Sequence, residues 1–131
     1  MDKISSGLIL LTYKGKVLLM HKQNSVIDEE KHPWSFIGGL KDKTETFEKT
    51  LTKRVQRETG IKIENVEYVS EFCYHAKLSD NNVNNIKRSE NQLLDFFTLK
   101  ETKKLFLSSD TAKFITNHSS LINPIVSLTY E

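Results

Sequence analysis

Only one cysteine occurs in this chain of 131 residues, Cys73, so an internal disulfide is excluded, and no Cys/His spacing suggests a zinc site. Cys73 falls in an apolar, strand-like pattern, where a small buried hydrophobe is a simpler reading than a nucleophile. Long hydrophobic runs are missing too: nothing approaches the ~18 residues that a membrane-spanning helix requires. The opening segment, Met1-Asp-Lys-Ile-Ser-Ser-Gly7, carries an acid and passes directly into a strand-like run, without the cationic start and apolar middle of a secretory signal. A cytoplasmic protein with no membrane partner is therefore expected. No excess of either charge stands out, with 19 lysines and arginines against 17 aspartates and glutamates. The net charge of +2 does not by itself imply nucleic acid, and it neither supports nor excludes a phosphorylated ligand. There is no internal repeat.

The length suits one domain with a core of its own, and 37% hydrophobic with 27% charged residues suits a globular fold. A single domain over residues 1–131 is expected. Ser6 to Tyr13 and Val17 to Lys22 are aliphatic runs on either side of Lys14-Gly15-Lys16, which predicts a β-hairpin. Asn24 to Pro33 is polar and turn-rich. Trp34-Ser-Phe36-Ile37 then runs into Gly38-Gly39, where the backbone is expected to bend sharply or meet a ligand closely.

A helix follows, with both ends chemically marked. Thr46 suits the N-cap, Glu48 places negative charge in the first turn, and Gly60 suits the left-handed residue that ends a helix. At ~100° per residue, Phe47, Leu51 and Val55 form the apolar stripe, and Glu58 projects inside it. Val66 to Leu78 reads as one long strand, Ser79 to Asn91 as an asparagine-rich loop and Gln92 to Leu99 as a further apolar run. Thr102 to Leu105 predicts a short turn. Asp110 to Asn117 predicts a second helix capped by Ser109 or Asp110. Strands on both sides of one central helix give an α/β sandwich on a mixed sheet. The early antiparallel hairpin fits a doubly wound nucleotide fold less well.

Arg54, Arg57 and Glu58 gather on one side of the central helix. One reading is a solvated helix flank with an Arg54–Glu58 pair four residues apart, worth a few tenths of a kcal/mol. The other is functional. A carboxylate near a helix C-terminus and within the apolar stripe needs a cationic neighbour, either Arg54 or a metal. Two guanidiniums one turn apart can also hold phosphate oxygens directly, through paired hydrogen bonds. Both readings stay open at this point.

Residues 39–61 closely resemble the Nudix box, G-x5-E-x7-R-E-U-x-E-E-x-G-U, with U a bulky aliphatic residue. Gly39, Glu45, Val55, Glu58, Gly60 and Ile61 occupy its fixed positions; Lys53 stands where the pattern has Arg, and Arg54 and Arg57 stand where it has Glu. Upstream, Val17 to Lys22 and Trp34 to Gly39 resemble the family's strand and W-x-x-P-G-G entry, with Ile37 in place of proline. Downstream, Asp95 to Leu99 and Lys100 to Leu105 resemble its late strand and short helical turn. The resemblance covers most of residues 4–117 and implies an α/β/α sandwich with a mixed β-sheet.

Family members typically cleave a nucleoside diphosphate linked to another moiety, by water attack at phosphorus with Mg²⁺ or Mn²⁺. For this chain the resemblance implies a nucleotide-like small-molecule partner and, if the protein is active, Mg²⁺ or Mn²⁺ as cofactor. Glu58 and the Gly39 carbonyl are what remains of the family's metal ligands. Asp95 and Glu90 are the candidates for a further ligand or base, and otherwise are surface acids. Exchanging two glutamates for arginines changes the local charge from about −3 to about +1, which opposes a divalent ion.

Arg54, Arg57 and Lys22 are the candidate substrate-binding residues. Gly39, Glu45, Lys53 and Gly60 form the structural frame, with Glu45–Lys53 matching the family's Glu–Arg brace less its planar fork. His21, Tyr74 and His75 line a ligand cleft or are strand-end and core residues, and Trp34 reads as packing. A nucleic-acid surface on Lys49, Lys53, Arg54, Arg57, Lys87 and Arg88 is interrupted by Glu45, Glu48 and Glu58, so nucleic acid is not expected. The expectation is a pyrophosphohydrolase-lineage protein with weak or altered activity. The alternative is a catalytically silent nucleotide- or phosphate-binding module. The ligand's identity and the oligomeric state, a homodimer included, stay open.

Overall fold

The computed structural model describes residues 5–22, 33–88 and 92–122. Strands β1 (Ser5–Tyr13) and β2 (Lys16–Lys22) form the expected antiparallel hairpin, with Thr12 opposite Val17 and Tyr13 opposite Lys16. Lys14 and Gly15 turn the chain at φ 49° and 79°, a positive pair whose twist matches that of the flanking strands. Next come β3 (Ile37–Lys41), α1 (Phe47–Thr59), β4 (Glu67–Ser70) and β5 (Cys73–Lys77). The remaining elements are α2 (Asp80–Asn84), β6 (Gln92–Thr98), α3 (Leu99–Thr102), α4 (Ser109–Asn117) and α5 (Ser119–Ile122).

The sheet is mixed, in the order β4-β5-β1-β2-β6, with β3 also pairing β1. The β1–β5 pair is parallel, from Leu8↔Cys73 to Thr12↔Lys77, and α1 lies in the crossover that such a pair needs. Residues Ser5 to Ile9 of β1 pair with β3, whereas Thr12 and Tyr13 pair with β2. The period-2 alternation of strand side chains divides the interior into two layers. Ile9, Leu11, Leu18, Met20, Ile37 and Leu94 pack with Leu51 and Val55 of α1. On the opposite face, Leu10, Val17, Leu19 and Phe36 pack with Phe114 and Ile115 of α4. The result is the expected α/β/α sandwich.

Five local expectations need correction. Val66 to Leu78 is a hairpin rather than one strand: the chain reverses at Glu71-Phe72, with Phe72 at φ 64° and a register shift between Tyr68 and Ser70. That left-handed backbone costs a non-glycine residue about 1 kcal/mol, and the edge-on packing of Phe72 against Phe47, centroids 5.7 Å apart, offsets it. Within Ser79 to Asn91, Asp80–Asn84 is helical because Ser79 and Asn82 form a reciprocal capping box. Residues 89–91 lie outside the described residues. The short helix α3 starts at Leu99, before the expected turn, because Thr98 and Glu101 cap it in the same way. Helix α4 is capped by Ser108, one residue earlier than expected, whose hydroxyl accepts from the Thr111 amide at 3.3 Å. Gly38 and Gly39, expected either to bend sharply or to meet a ligand closely, make no bend: they lie inside β3 opposite Leu8 and Gly7, with Gly39 lining the cleft beside α1.

Candidate functional site

Helix α1 forms as its end signals demand. The Thr46 hydroxyl accepts from the Lys49 amide at 3.1 Å, and Gly60, at φ 81°, donates its amide to the Gln56 carbonyl at 2.8 Å. Leu51 and Val55 are fully buried against the sheet, which turns the flank carrying Thr50, Arg54 and Arg57 towards β3. Between that flank and the strand lies an open cleft of about 170 Å³, lined by Gly39, Leu40, Glu45, Thr50, Lys53, Arg54 and Arg57. Three of these side chains are cationic and one is anionic.

The single carboxylate is engaged. Glu45 accepts from Thr50 Oγ1 at 2.9 Å and is ion-paired with Lys53, as the box resemblance leads one to expect. The Lys53 ammonium, with help from Thr50, holds the Glu45 carboxyl below the usual carboxylate range. Thr50 was not among the expected residues. Its signal was weak, a hydroxyl in the helix interior whose only mark is that it faces Glu45 rather than solvent.

Glu58 turns inward as its position in the apolar stripe requires. Its side chain is 13% exposed, and its Oε2 lies 3.4 Å from Nε of Arg54, itself 35% exposed. That Nε is buried and the contact lacks hydrogen-bond alignment, so it is an ion pair rather than a formed hydrogen bond. The Arg54 stem lies over the strand: a Cβ placed on Gly39 would stand 3.7 Å from Arg54 Cγ.

Asp95 is not brought to this cleft. It pairs with Leu19 across β2 and β6, and cross-strand partners share a face, so Asp95 belongs to the α4 side of the sheet, away from α1. It is exposed there and accepts from the Phe96 amide at 2.9 Å. Lys22 has its backbone in β2, opposite Gln92, but its side chain lies outside the described residues, as does all of Glu90.

His21 packs at a tilt against Trp34, centroids 5.0 Å apart, and Trp34 meets Phe97 edge-on at 5.0 Å, so Trp34 serves packing as expected. Tyr74 and His75 are core residues rather than cleft walls, 7% and 2% exposed. Cys73 is half-buried beside the α4-side layer.

His75 sits 2.8 Å from the Thr12 hydroxyl. Burial pushes its imidazole below the ordinary range, opposed by the Glu67 carboxylate 4.0 Å away and reinforced by Lys77. The stability tied to this depressed value is complete above the unfolded pKa, about 6.5, and is lost as pH falls from there towards the folded value. Denaturant unfolding between pH 8 and 5 is expected to show this loss, at most about 1.4 kcal/mol per pH unit. His75→Gln is expected to flatten it; an unaltered slope in that variant would assign the loss to other groups.

A divalent ion of the Mg²⁺ type seeks about six oxygens in octahedral array. Among the described residues no three His, Cys, Asp or Glu side chains form a group able to hold one. Glu58 is paired with Arg54, Glu45 is taken by Thr50 and Lys53, and three cations line the cleft. The described residues do not fit a divalent metal.

A sequence model of the NUDIX domain matches residues 1–117. No curated protein matches. Among solved structures, the E. coli ORF135 protein superposes with a TM-score of 0.68 at 18% identity, over 97% of this chain and 96% of its own. A mutT/nudix family protein from Listeria innocua gives 0.69 at 15% identity, over 93% and 95%. The NUDIX domain of Shewanella oneidensis NrtR, solved in complex with ADP ribose, gives 0.64 at 18%, over 93% and 90%. At these identities the structures share the fold, while the domain match covers most of the sequence, and on that match the chain belongs to the Nudix family.

Proposed function

We propose that this Nudix-family protein binds the phosphate groups of a nucleotide-like small molecule directly through Arg54 and Arg57, and that its phosphoanhydride hydrolysis is weak or lost. The observation that carries this is the charge of one cleft: Lys53, Arg54 and Arg57 line it with a single carboxylate, which is already paired. Planar guanidinium forks donate two parallel hydrogen bonds to phosphate oxygens and need no bridging ion. The solved complex of another NUDIX domain with ADP ribose supports a nucleotide-like ligand class. The proposal includes a single domain over residues 1–131 and a cytoplasmic location; among the described residues no helix is long and apolar enough to cross a membrane.

The competing reading is a metal-dependent hydrolase rebuilt around Glu58 with Asp95 or Glu90. The face on which Asp95 lies gives it no support.

Calorimetric titration with ADP ribose and with inorganic pyrophosphate, in the presence of chelator, tests the proposal. Binding is expected without metal, and Arg54→Ala with Arg57→Ala is expected to weaken it at least about tenfold, the equivalent of one charge-assisted hydrogen bond. Unchanged affinity in the double variant would overturn the proposal.

A further inference from the structure

Glu58 stands at a position where the family resemblance implies a metal ligand, yet its carboxylate faces a guanidinium, with Oε2 3.4 Å from Arg54 Nε. We propose that Glu58 is a positioning residue for Arg54: its carboxylate draws the Nε edge of the fork inward by charge, without a formed hydrogen bond, so that the terminal nitrogens open into the cleft. This rests on the phosphate-binding reading of that cleft.

One general property and two observations meet here. A guanidinium carries its five N–H groups in one rigid plane, so drawing one edge towards an anion turns the other edge away from it. Glu58 is itself confined, 13% exposed in the apolar stripe of α1, and so is a firm anchor. The Arg54 stem passes over the bare Gly39 backbone, its Cγ 3.7 Å from the point where a Gly39 Cβ would stand, and the side chain is 35% exposed. An arginine already held in place loses little side-chain freedom when it binds phosphate, whereas a free one loses much.

The sign of one substitution separates positioning from simple charge. A carboxylate near a bound anion repels it, so Glu58→Gln would tighten pyrophosphate binding if charge alone mattered. Positioning has the opposite outcome. Pyrophosphate titrations in chelator are expected to show Glu58→Gln weakening affinity roughly three- to tenfold, the ordering loss of one long side chain. In an Arg54→Ala background the same change should have no weakening effect, because there is no fork left to hold.

Equal or tighter binding by Glu58→Gln overturns the proposal, and so does an equal weakening in both backgrounds, which would mark a general structural role. If Arg54→Ala binds pyrophosphate as the parent does, the phosphate reading of the cleft fails instead. Should Glu58→Gln not fold, Arg54→Lys carries the test. A lone ammonium would be drawn to Glu58, and binding should fall to the Arg54→Ala level; parental affinity there overturns the proposal.

Discussion

Replacing Arg54 and Arg57 together by glutamate is expected to give a protein that binds Mn²⁺ at its α1 flank and releases phosphate from a nucleotide in a Mn²⁺-dependent way. The change adds two carboxylates next to Glu58 and removes two cations, a swing of four charge units on one helix side. At ~6 Å and an effective dielectric of about 20, each unit is worth roughly 5 kcal/mol to a divalent ion. Exposure of the Arg57 side chain and swinging of long side chains reduce that. Even a quarter of it per unit strengthens cation binding well over a hundredfold across the four.

The same variant should lose metal-free pyrophosphate binding, since the forks that hold the anion are gone. Calorimetry with Mn²⁺ checks the first outcome. Phosphate release from a panel of nucleotide sugars, dinucleotides and nucleoside triphosphates checks the second. A variant that folds yet neither binds Mn²⁺ nor turns over would show that more than these two residues separates this cleft from a metal centre.

Gly38→Ala is expected to be the more damaging of two neighbouring glycine substitutions, although Gly39 is the one fixed in the Nudix pattern. A Cβ on Gly38 would lie 2.7 Å from the Gly7 carbonyl oxygen and 2.8 Å from Leu8 Cδ2. The first of these is backbone inside a paired strand and cannot give way without disturbing the β1–β3 ladder. Overpacking of this kind costs about 1–3 kcal/mol, roughly 5 to 10 °C in Tm for a chain of this size.

A Cβ on Gly39 would instead meet Thr50 Cγ2 at 3.5 Å and Arg54 Cγ at 3.7 Å, which is ordinary contact. Gly39→Ala should therefore fold with Tm within a degree or two of the parent, since strand interiors favour alanine slightly over glycine. Thermal unfolding of both variants decides the matter. A larger loss in Gly39→Ala would mean that the fold itself needs a bare backbone at the cleft floor.

Features written in local chemistry were the readable ones. Helix α1 carries its cap, its stripe and its terminal glycine in sequence, and the Glu45–Lys53 pair is what the resemblance to the Nudix box implies. The β1–β2 hairpin followed from a glycine-centred turn. What could not be read depended on partners distant in the chain. The reversal at Phe72 has no glycine, proline or asparagine to mark it, and the packing that accompanies it is an aromatic contact with Phe47.

Asp95 precedes two consecutive aromatics, Phe96 and Phe97, which hides the alternation that decides its face. Only the pairing with Leu19 resolves it. Nothing in the sequence sets Thr50 apart from other helical hydroxyls; its hydrogen bond to Glu45 does.

The parallel pairing of β1 with β5 ties Leu8 to Cys73, 65 positions apart (73 − 8), and leaves β1 gripped on both edges by segments made at different times. Closing so large a loop is entropically slow compared with zipping the opening hairpin or docking α1 onto the strand just before it. On this ground the β1–β5 pairing is expected to form after β1, β2, β3 and α1 have met. Until then one edge of β1 stays open to any other chain that can offer a strand.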